Sequence, residues 1–370
     1  MKNEYDNFDN IADFNNLYKA HKECRKGKLW KDSVASYDLK ALESTLYLKH
    51  LLNTEEYKIS KYHCFRINER GKTRDIKSTQ YKDRVVQKVL CDNIFTPYIN
   101  KKMIYDNGAS IKGKGTDFSI NRLKTHMQRF YRKHGTDGYV LVCDMQKYFD
   151  SIRHELLQNI YAKYFDDEKI LSLIKMIHDS IPGGVGVPLG NQLSQFDALL
   201  AADSLDHMIK EELRIKYYGR YMDDFYLIHE DKEYLKYCRQ KIEEKAAELG
   251  LKLNQKKTKI VPIRVGINYL GFHYYLTETG KVVVRIKTKS KNRMRTKLRK
   301  YKKKLKEGKM SLRDIEDGYR SWKAHAKRGN TYYMLQNMDR YYFNLFKEYY
   351  PNKGGIKQWH KNYQHYQSVH

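Results

Sequence analysis

GRYMDDFYLIHED, Gly219 to Asp231, sets two adjacent carboxylates, Asp223 and Asp224, between aromatic and aliphatic residues. Anions among neighbours suited to burial need either a solvated turn or a compensating cation. The flanks read as strand, tight turn, strand, which puts the pair at the tip of a hairpin. Alone, that pattern fits an exposed acidic turn as well as a metal site. A second acid changes the balance. In LVCDMQKYFDSI, Leu141–Ile152, a short apolar run ends abruptly at Asp144, as a buried strand does when it delivers a side chain. Three acids at strand ends or turns suggest one shared pocket for two hard cations, because Mg²⁺ takes a few carboxylates and completes its shell with phosphate oxygens. Successive side chains of an extended strand alternate, so from a strand Asp223 and Asp224 cannot both face one ion; a turn relaxes that limit, and Asp224 is expected to be the less direct ligand. Asp150, ahead of SIRHELL, fits a helix cap.

The composition points to a polyanionic partner. Lys and Arg total 72 against 44 Asp and Glu in 370 residues, a formal net charge of +28. Such an excess repels itself unless nucleic acid or another polyanion offsets it. With 41% hydrophobic and 13% aromatic residues the chain is a folded protein, long enough for two or three subdomains. Cys24, Cys64, Cys91, Cys143 and Cys238 are odd in number and far apart, which argues against a disulfide or zinc framework. No apolar run is long enough for a bilayer and MKNEYDNFDN lacks a signal-peptide core, so the expectation is a cytoplasmic protein with no membrane partner.

Periodicity gives the order of elements. Residues 7–52 read as helices, and YKISKYHCFRINERGKTRDIKS as two strands around Gly71. DRVVQKVLCDNIFTPYI is helical, and Gln192 to Leu213 has one helical apolar stripe. EYLKYCRQKIEEKAAELGLKL is a further helix, INYLGFHYYLTETGKVVVRI one more hairpin, and residues 287–350 a basic helical region.

Several motifs in order resemble a known family. YMDD in a hairpin, Asp144 followed by MQKYFDSI, and GVPLGNQLSQ between them resemble a reverse transcriptase palm. GKTRDI, DRVVQ and GKGT are similar to the fingers motifs of group II intron and related bacterial enzymes. NQKKTKI and GINYLGF resemble later palm motifs, and SWKAHAKRGNTY the thumb of diversity-generating retroelement enzymes. The resemblance runs from roughly Lys26 to Asp339. It implies an α+β right-hand polymerase: an N-terminal helical extension (1–56), fingers (57–136), palm (137–284), a basic helical thumb (285–350) and a C-terminal tail (351–370).

The resemblance also implies roles. Asp144 and Asp223 are the main metal ligands, Asp224 the second carboxylate of the turn, and the Met145 carbonyl helps hold the nucleotide's metal. Two Mg²⁺ ions are implied, with Mn²⁺ as a substitute. Lys72 and Arg74 alternate on a fingers strand and reach the triphosphate of a dNTP, with Arg84 a further phosphate contact. Phe149 matches the steric gate against a ribose 2′-hydroxyl. Gly190 lets the backbone approach the primer-template, Pro188 stiffens that turn, and Gln195 belongs to the same nucleotide-binding motif. Lys257 matches the lysine proposed to protonate pyrophosphate, and Leu270, Gly271 and Phe272 the primer grip. Leu189 stands where many relatives carry Gln. An aliphatic residue there is a feature of diversity-generating retroelement enzymes, where it accompanies error-prone copying. Those enzymes usually read Thr-Ser-Gln where this chain reads Leu193, Ser194 and Gln195.

Arg285 to Lys306 carries 13 Lys or Arg and no acid, a charge run suited to tracking a duplex backbone. Tyrosines in KNYQHYQSVH offer a hydroxyl for protein priming, against the simpler reading of a frayed tail. The resemblance implies copying of an RNA template into cDNA, with a non-coding RNA and an accessory protein as partners, in a bacterium or phage. Antiphage defence and mutagenic retroelement copying are competing roles. An inactive maturase-like RNA-binding scaffold is the alternative of a different class.

Overall fold

The computed structural model describes residues 4–69 and 72–350, the side chains of Glu69 and Lys72 excepted. The chain folds as two compact units, one of residues up to Phe130 with Asp137–Val261, the other of Tyr131–Thr136 with residues from Pro262 onward. The division at Val261–Pro262 falls inside the stretch 137–284 that the sequence reading expects to be one palm. No helix among the described residues is long and apolar enough to cross a membrane.

In the first unit, helices α1 (Asp9–Ala12), α2 (Phe14–Arg25), α3 (Asp32–Leu39) and α4 (Ala41–Asn53) precede a hairpin of β1 (His63–Glu69) and β2 (Lys72–Ser78). Next, α5 (Tyr81–Val89) runs through a π turn at Leu90–Phe95 into α6 (Thr96–Ile99), and α7 (Thr116–His134) follows. The sheet at the centre has the order β4–β5–β3–β6, built from β3 (Tyr139–Asp144), β4 (Tyr217–Tyr221), β5 (Asp224–His229) and β6 (Lys259–Pro262). Between β3 and β4 lie α8 (Tyr148–Ser151), α9 (His154–Ala162), α10 (Glu168–Asp179), α11 (Gln192–Leu200) and α12 (Asp203–His207). Helix α13 (Lys232–Glu248) starts at Asp231, whose carboxylate accepts the Glu233 and Tyr234 N–H groups.

The central strands are apolar in runs because both faces are covered: Val140, Leu141, Cys143, Phe225 and Leu227 are all fully buried. The outer edge of β4 is paired in turn by the Asp106–Gly108 segment, which hydrogen-bonds Arg220 on both sides.

Four features differ from the sequence reading. The Gln192–Leu213 stripe is broken at Ala201–Ala202 and ends in a π turn at Met208–Glu212. The break frees carbonyls at the end of α11, and Leu199 O accepts instead from the buried Arg220 side chain. Asp150 lies inside α8, and the residue preceding α9 is Arg153, so Asp150 is no cap for that helix. β6, which starts at the end of the NQKKTKI segment and runs to Pro262, is too short a run to be read as a strand. The fourth difference is in the second unit. There INYLGFHYYLTETGKVVVRI makes three strands rather than a hairpin, β7 (Ile267–Tyr269), β8 (Phe272–Leu276) and β9 (Val282–Ile286). Leu270 and Gly271, at φ 45° and 91°, form a two-residue turn pairing Tyr269 with Phe272, the positive-φ pattern of a type I′ hairpin.

The rest of the second unit is α14 (Thr288–Lys306), α15 (Leu312–Ala326) and α16 (Tyr332–Phe346). Met294 and Leu298 turn a narrow stripe of α14 into a core with Ile315, Tyr319, Met338 and Tyr342. A buried Lys323–Asp339 pair at 2.6 Å, joined by the Tyr319 hydroxyl at 2.8 Å, crosses between α15 and α16.

Candidate active site

Pairing register brings the acids together. Asp144 ends β3 directly opposite Asp224, which opens β5, and Tyr221 pairs with Asp224 across the other hairpin. Residues directly opposite in an antiparallel ladder share a face, so the Asp144 and Asp224 side chains point the same way. Asp224, expected from sequence to be the less direct of the pair, thus stands straight across from Asp144. Asp223 occupies the two-residue turn, and its carbonyl accepts the Met145 N–H at 3.0 Å. Met222 carries φ 55°, a left-handed conformation costly for a side chain of its size.

Electrostatically the three acids are crowded. Burial raises the Asp224 carboxyl first, the charges of Asp223 and Asp144 raise it further, and it is pushed up to about 7. Asp223 is also raised, by burial and by Asp144, against the opposing pull of a backbone hydrogen bond, Lys257 and Arg74. Arg74 is a residue of β2. Lys257 donates to Asp144 Oδ2 at 2.5 Å. Burial alone lowers the Lys257 ammonium, but the Asp144 hydrogen bond and the three negative charges hold it above its ordinary value.

Two residues that the sequence reading did not single out complete the site. Asn254 donates through Nδ2 to Asp144 Oδ1 at 3.2 Å, and its N–H donates to the Asp144 carbonyl at 2.7 Å. Arg220, fully buried, donates through Nε and Nη2 to Asp206 at 2.8 and 2.6 Å, through Nη2 to Leu199 O at 3.1 Å and through Nη1 to Met222 O at 3.3 Å. Asp206 also accepts from Tyr218 at 2.5 Å. Arg220 therefore ties the strained Met222 peptide to the end of α11. Its signal was an arginine in an otherwise apolar and aromatic strand, legible only once the strand's burial is known.

Most of the remaining predicted residues of the first unit have defined local partners. Met145 is buried and bridges Leu253. Phe149, half-buried and edge-on to Tyr148, accepts the Val187 N–H at 2.9 Å through its carbonyl. The His154 ring lies 2.8 Å from Gly186 O, so the loop leading to Leu189 and Gly190 is anchored at its start. Gly190, at φ 105°, faces Ile76 of β2, where a Cβ would lie 3.8 Å from the isoleucine methyl. Arg84 donates to Ser78 Oγ at 3.0 Å, and Gln195 accepts from Ser110 at 3.1 Å. Lys28, Arg84, Lys88, Gly190 and Gln195 line one cleft of about 450 Å³. The Lys72 side chain lies outside the described residues, as do the tyrosines of the C-terminal tail. Leu270, Gly271 and Phe272 belong to the second unit, where Phe272 is buried against the His325 ring, centroids 4.9 Å apart.

The donor set fits a hard divalent cation: three carboxylates are gathered at one strand end, and the crowding raises the Asp223 and Asp224 carboxyls. Among the described residues no group of three or more His, Cys, Asp or Glu is arranged to hold a metal ion by itself. A cation here would complete its shell with water and phosphate oxygens, as Mg²⁺ does.

Residues 59–274, well over half the chain, match the reverse transcriptase (RNA-dependent DNA polymerase) family. The chain belongs to this family. Its α+β fold is that of the right-hand polymerases, and the family's reaction is nucleotidyl transfer, generally with divalent metal ions. No curated protein matches it by sequence. Among solved structures it is similar to telomerase from Candida albicans with a TWJ fragment of telomeric RNA, at 12% identity and TM-score 0.47, covering 83% of this chain and 65% of that one. It is also similar to apo telomerase from Candida tropicalis, at 16% identity and TM-score 0.43, covering 65% of this chain and 53% of that one. The chain spans between about half and two-thirds of the length of these structures.

Proposed function

We propose that the protein copies an associated non-coding RNA into cDNA by Mg²⁺-dependent transfer of deoxynucleotides, in a bacterial or phage antiviral defence system. The observation that carries the catalytic part is the convergence of Asp144, Asp223 and Asp224 on one strand-end hairpin, in a chain whose fingers, palm and thumb motifs occur in family order. When bound, two divalent cations lower the pKa of a primer 3′-hydroxyl and neutralise charge on the leaving pyrophosphate. The chain's own groups do the rest. Asp144 and the turn carboxylates orient those cations, Met145 contributes its carbonyl, and Arg74 with Lys72 and Arg84 grips the triphosphate. Phe149 presents a ring to the sugar and disfavours a 2′-hydroxyl, while Leu189 and Gly190 pass close to the primer-template. Leu270, Gly271 and Phe272 grip the primer. Lys257 gives its proton to departing pyrophosphate, so Lys257→Ala slows single-nucleotide incorporation by roughly 10²-fold without abolishing it.

The basic thumb helix supplies the sequence-independent hold on duplex. Arg293, Lys297 and Lys300 are exposed at i, i+4 and i+7 of α14, one face of the helix. Replacing all three by Ala makes the log–log salt slope of duplex binding shallower by about 0.9 for each phosphate no longer neutralised. Fluorescence anisotropy across a salt series measures it, and an unchanged slope removes α14 from the duplex interface.

Leu189 favours the second reading, a mutagenic retroelement enzyme, and LSQFDALLAADSLD, which departs from those enzymes, favours defence. Sequencing the nucleic acid that co-purifies with the protein decides between them. One defined RNA with faithful cDNA supports defence, whereas cDNA heavily substituted opposite one template base supports diversification. Recovery of RNA with no complementary DNA contradicts both.

A further inference from the structure

Both oxygens of Asp144 are engaged by the chain itself, Oδ2 by the Lys257 ammonium at 2.5 Å and Oδ1 by the Asn254 amide at 3.2 Å. The two donors are not equivalent. Asn254 is fixed through its backbone: its N–H holds the Asp144 carbonyl, and its own carbonyl accepts the Lys257 and Thr258 N–H groups at 3.0 and 2.9 Å. The Lys257 side chain is 53% exposed, whereas that of Asp144 is 8% exposed at the end of a central strand. A flexible four-carbon stem can carry its ammonium back into water at little cost, and a strand-end carboxylate cannot follow.

From this we infer that Lys257 is the resident counter-cation of Asp144, and that it gives up this carboxylate when a divalent cation binds. The inference rests on the metal reading above and adds a sequence to it. One ammonium leaves as the cation arrives, so the three crowded carboxylates are never left without a positive neighbour. The same exchange detaches Lys257 from Asp144 and leaves its ammonium available to a phosphate. The general-acid residue is thereby held back until the site is loaded.

The test is Mn²⁺ binding to the full-length protein, stripped of nucleic acid at high salt, with free Mn²⁺ read by electron paramagnetic resonance. Lys257→Met removes the competing charge and binds Mn²⁺ roughly tenfold more tightly than wild type, the low end of what one charge-assisted hydrogen bond is worth, because the lysine is half exposed. Lys257→Arg keeps a cation in place and stays within about twofold of wild type or binds more weakly. In EDTA the Met variant melts below wild type, and Mn²⁺ raises its Tm by more than it raises that of wild type, as linkage requires. Lys257→Gln, uncharged but still a donor, gives the same answer if the Met variant fails to fold. Affinity in the uncharged variants equal to or weaker than wild type overturns the exchange while leaving the metal site standing. Absence of Mn²⁺ binding to wild type overturns both.

Discussion

Asp223→Asn removes RNA-templated DNA synthesis while leaving the protein folded. The change is isosteric, and the carboxylate belongs to a turn whose backbone is held from both sides, by Arg220 on Met222 O and by Met145 N–H on Asp223 O. On the proposed metal reading, what is lost is one anionic ligand of the cations, several kcal/mol of transition-state stabilisation, so the single-turnover rate falls by roughly 10³-fold or more. Stability moves the other way. Asp223 and Asp224 are each raised by burial and by neighbouring carboxylates, so deleting one charge relieves repulsion in the metal-free protein. The melting temperature in EDTA is therefore equal to or above that of wild type. Quench-flow incorporation and calorimetry check the two halves. A variant that is inactive because it has unfolded contradicts the account.

Arg220→Met has the opposite signature. It leaves the Asp206 carboxylate without its cation in a fully buried site, with the Tyr218 hydroxyl still donating to it, and breaking one partner of such a pair costs about 3–5 kcal/mol. For a chain of this size that is a fall in Tm on the order of 10 °C. The double variant Arg220→Met/Asp206→Leu regains part of that stability, since an apolar replacement of a buried pair is often neutral, although the buried Tyr218 hydroxyl then loses its acceptor. Synthesis does not return with it, because nothing then holds the Met222 carbonyl and the left-handed turn relaxes. Full activity in the double variant would show that Arg220 is a structural charge with no hand in positioning the turn.

What the sequence made legible, and what it hid, follows from where the physics is local. The apolar run into Asp144 and the YMDD hairpin were readable because strand burial and a tight turn leave short, regular signatures. The Asp144–Asp224 register was not, since only strand pairing decides which acid faces which. Arg220 and Asp206 lie in different elements, and their pairing depends on a helix break at Ala201–Ala202 that no local propensity announces. Asn254 reaches Asp144 only after the chain has folded back from α13, across 110 positions of sequence. The Leu270–Gly271 turn hid for another reason: a leucine at positive φ defeats the residue preferences on which turn reading relies.

Primer extension tests the central claim most directly. Purified wild-type protein, supplied with its co-purifying RNA, a DNA primer, dNTPs and Mg²⁺, is predicted to extend the primer along the RNA. It is predicted to stop doing so when EDTA is added, and not to extend it as the Asp223→Asn variant. No extension by the wild type with either Mg²⁺ or Mn²⁺, or equal extension by Asp223→Asn, would contradict it.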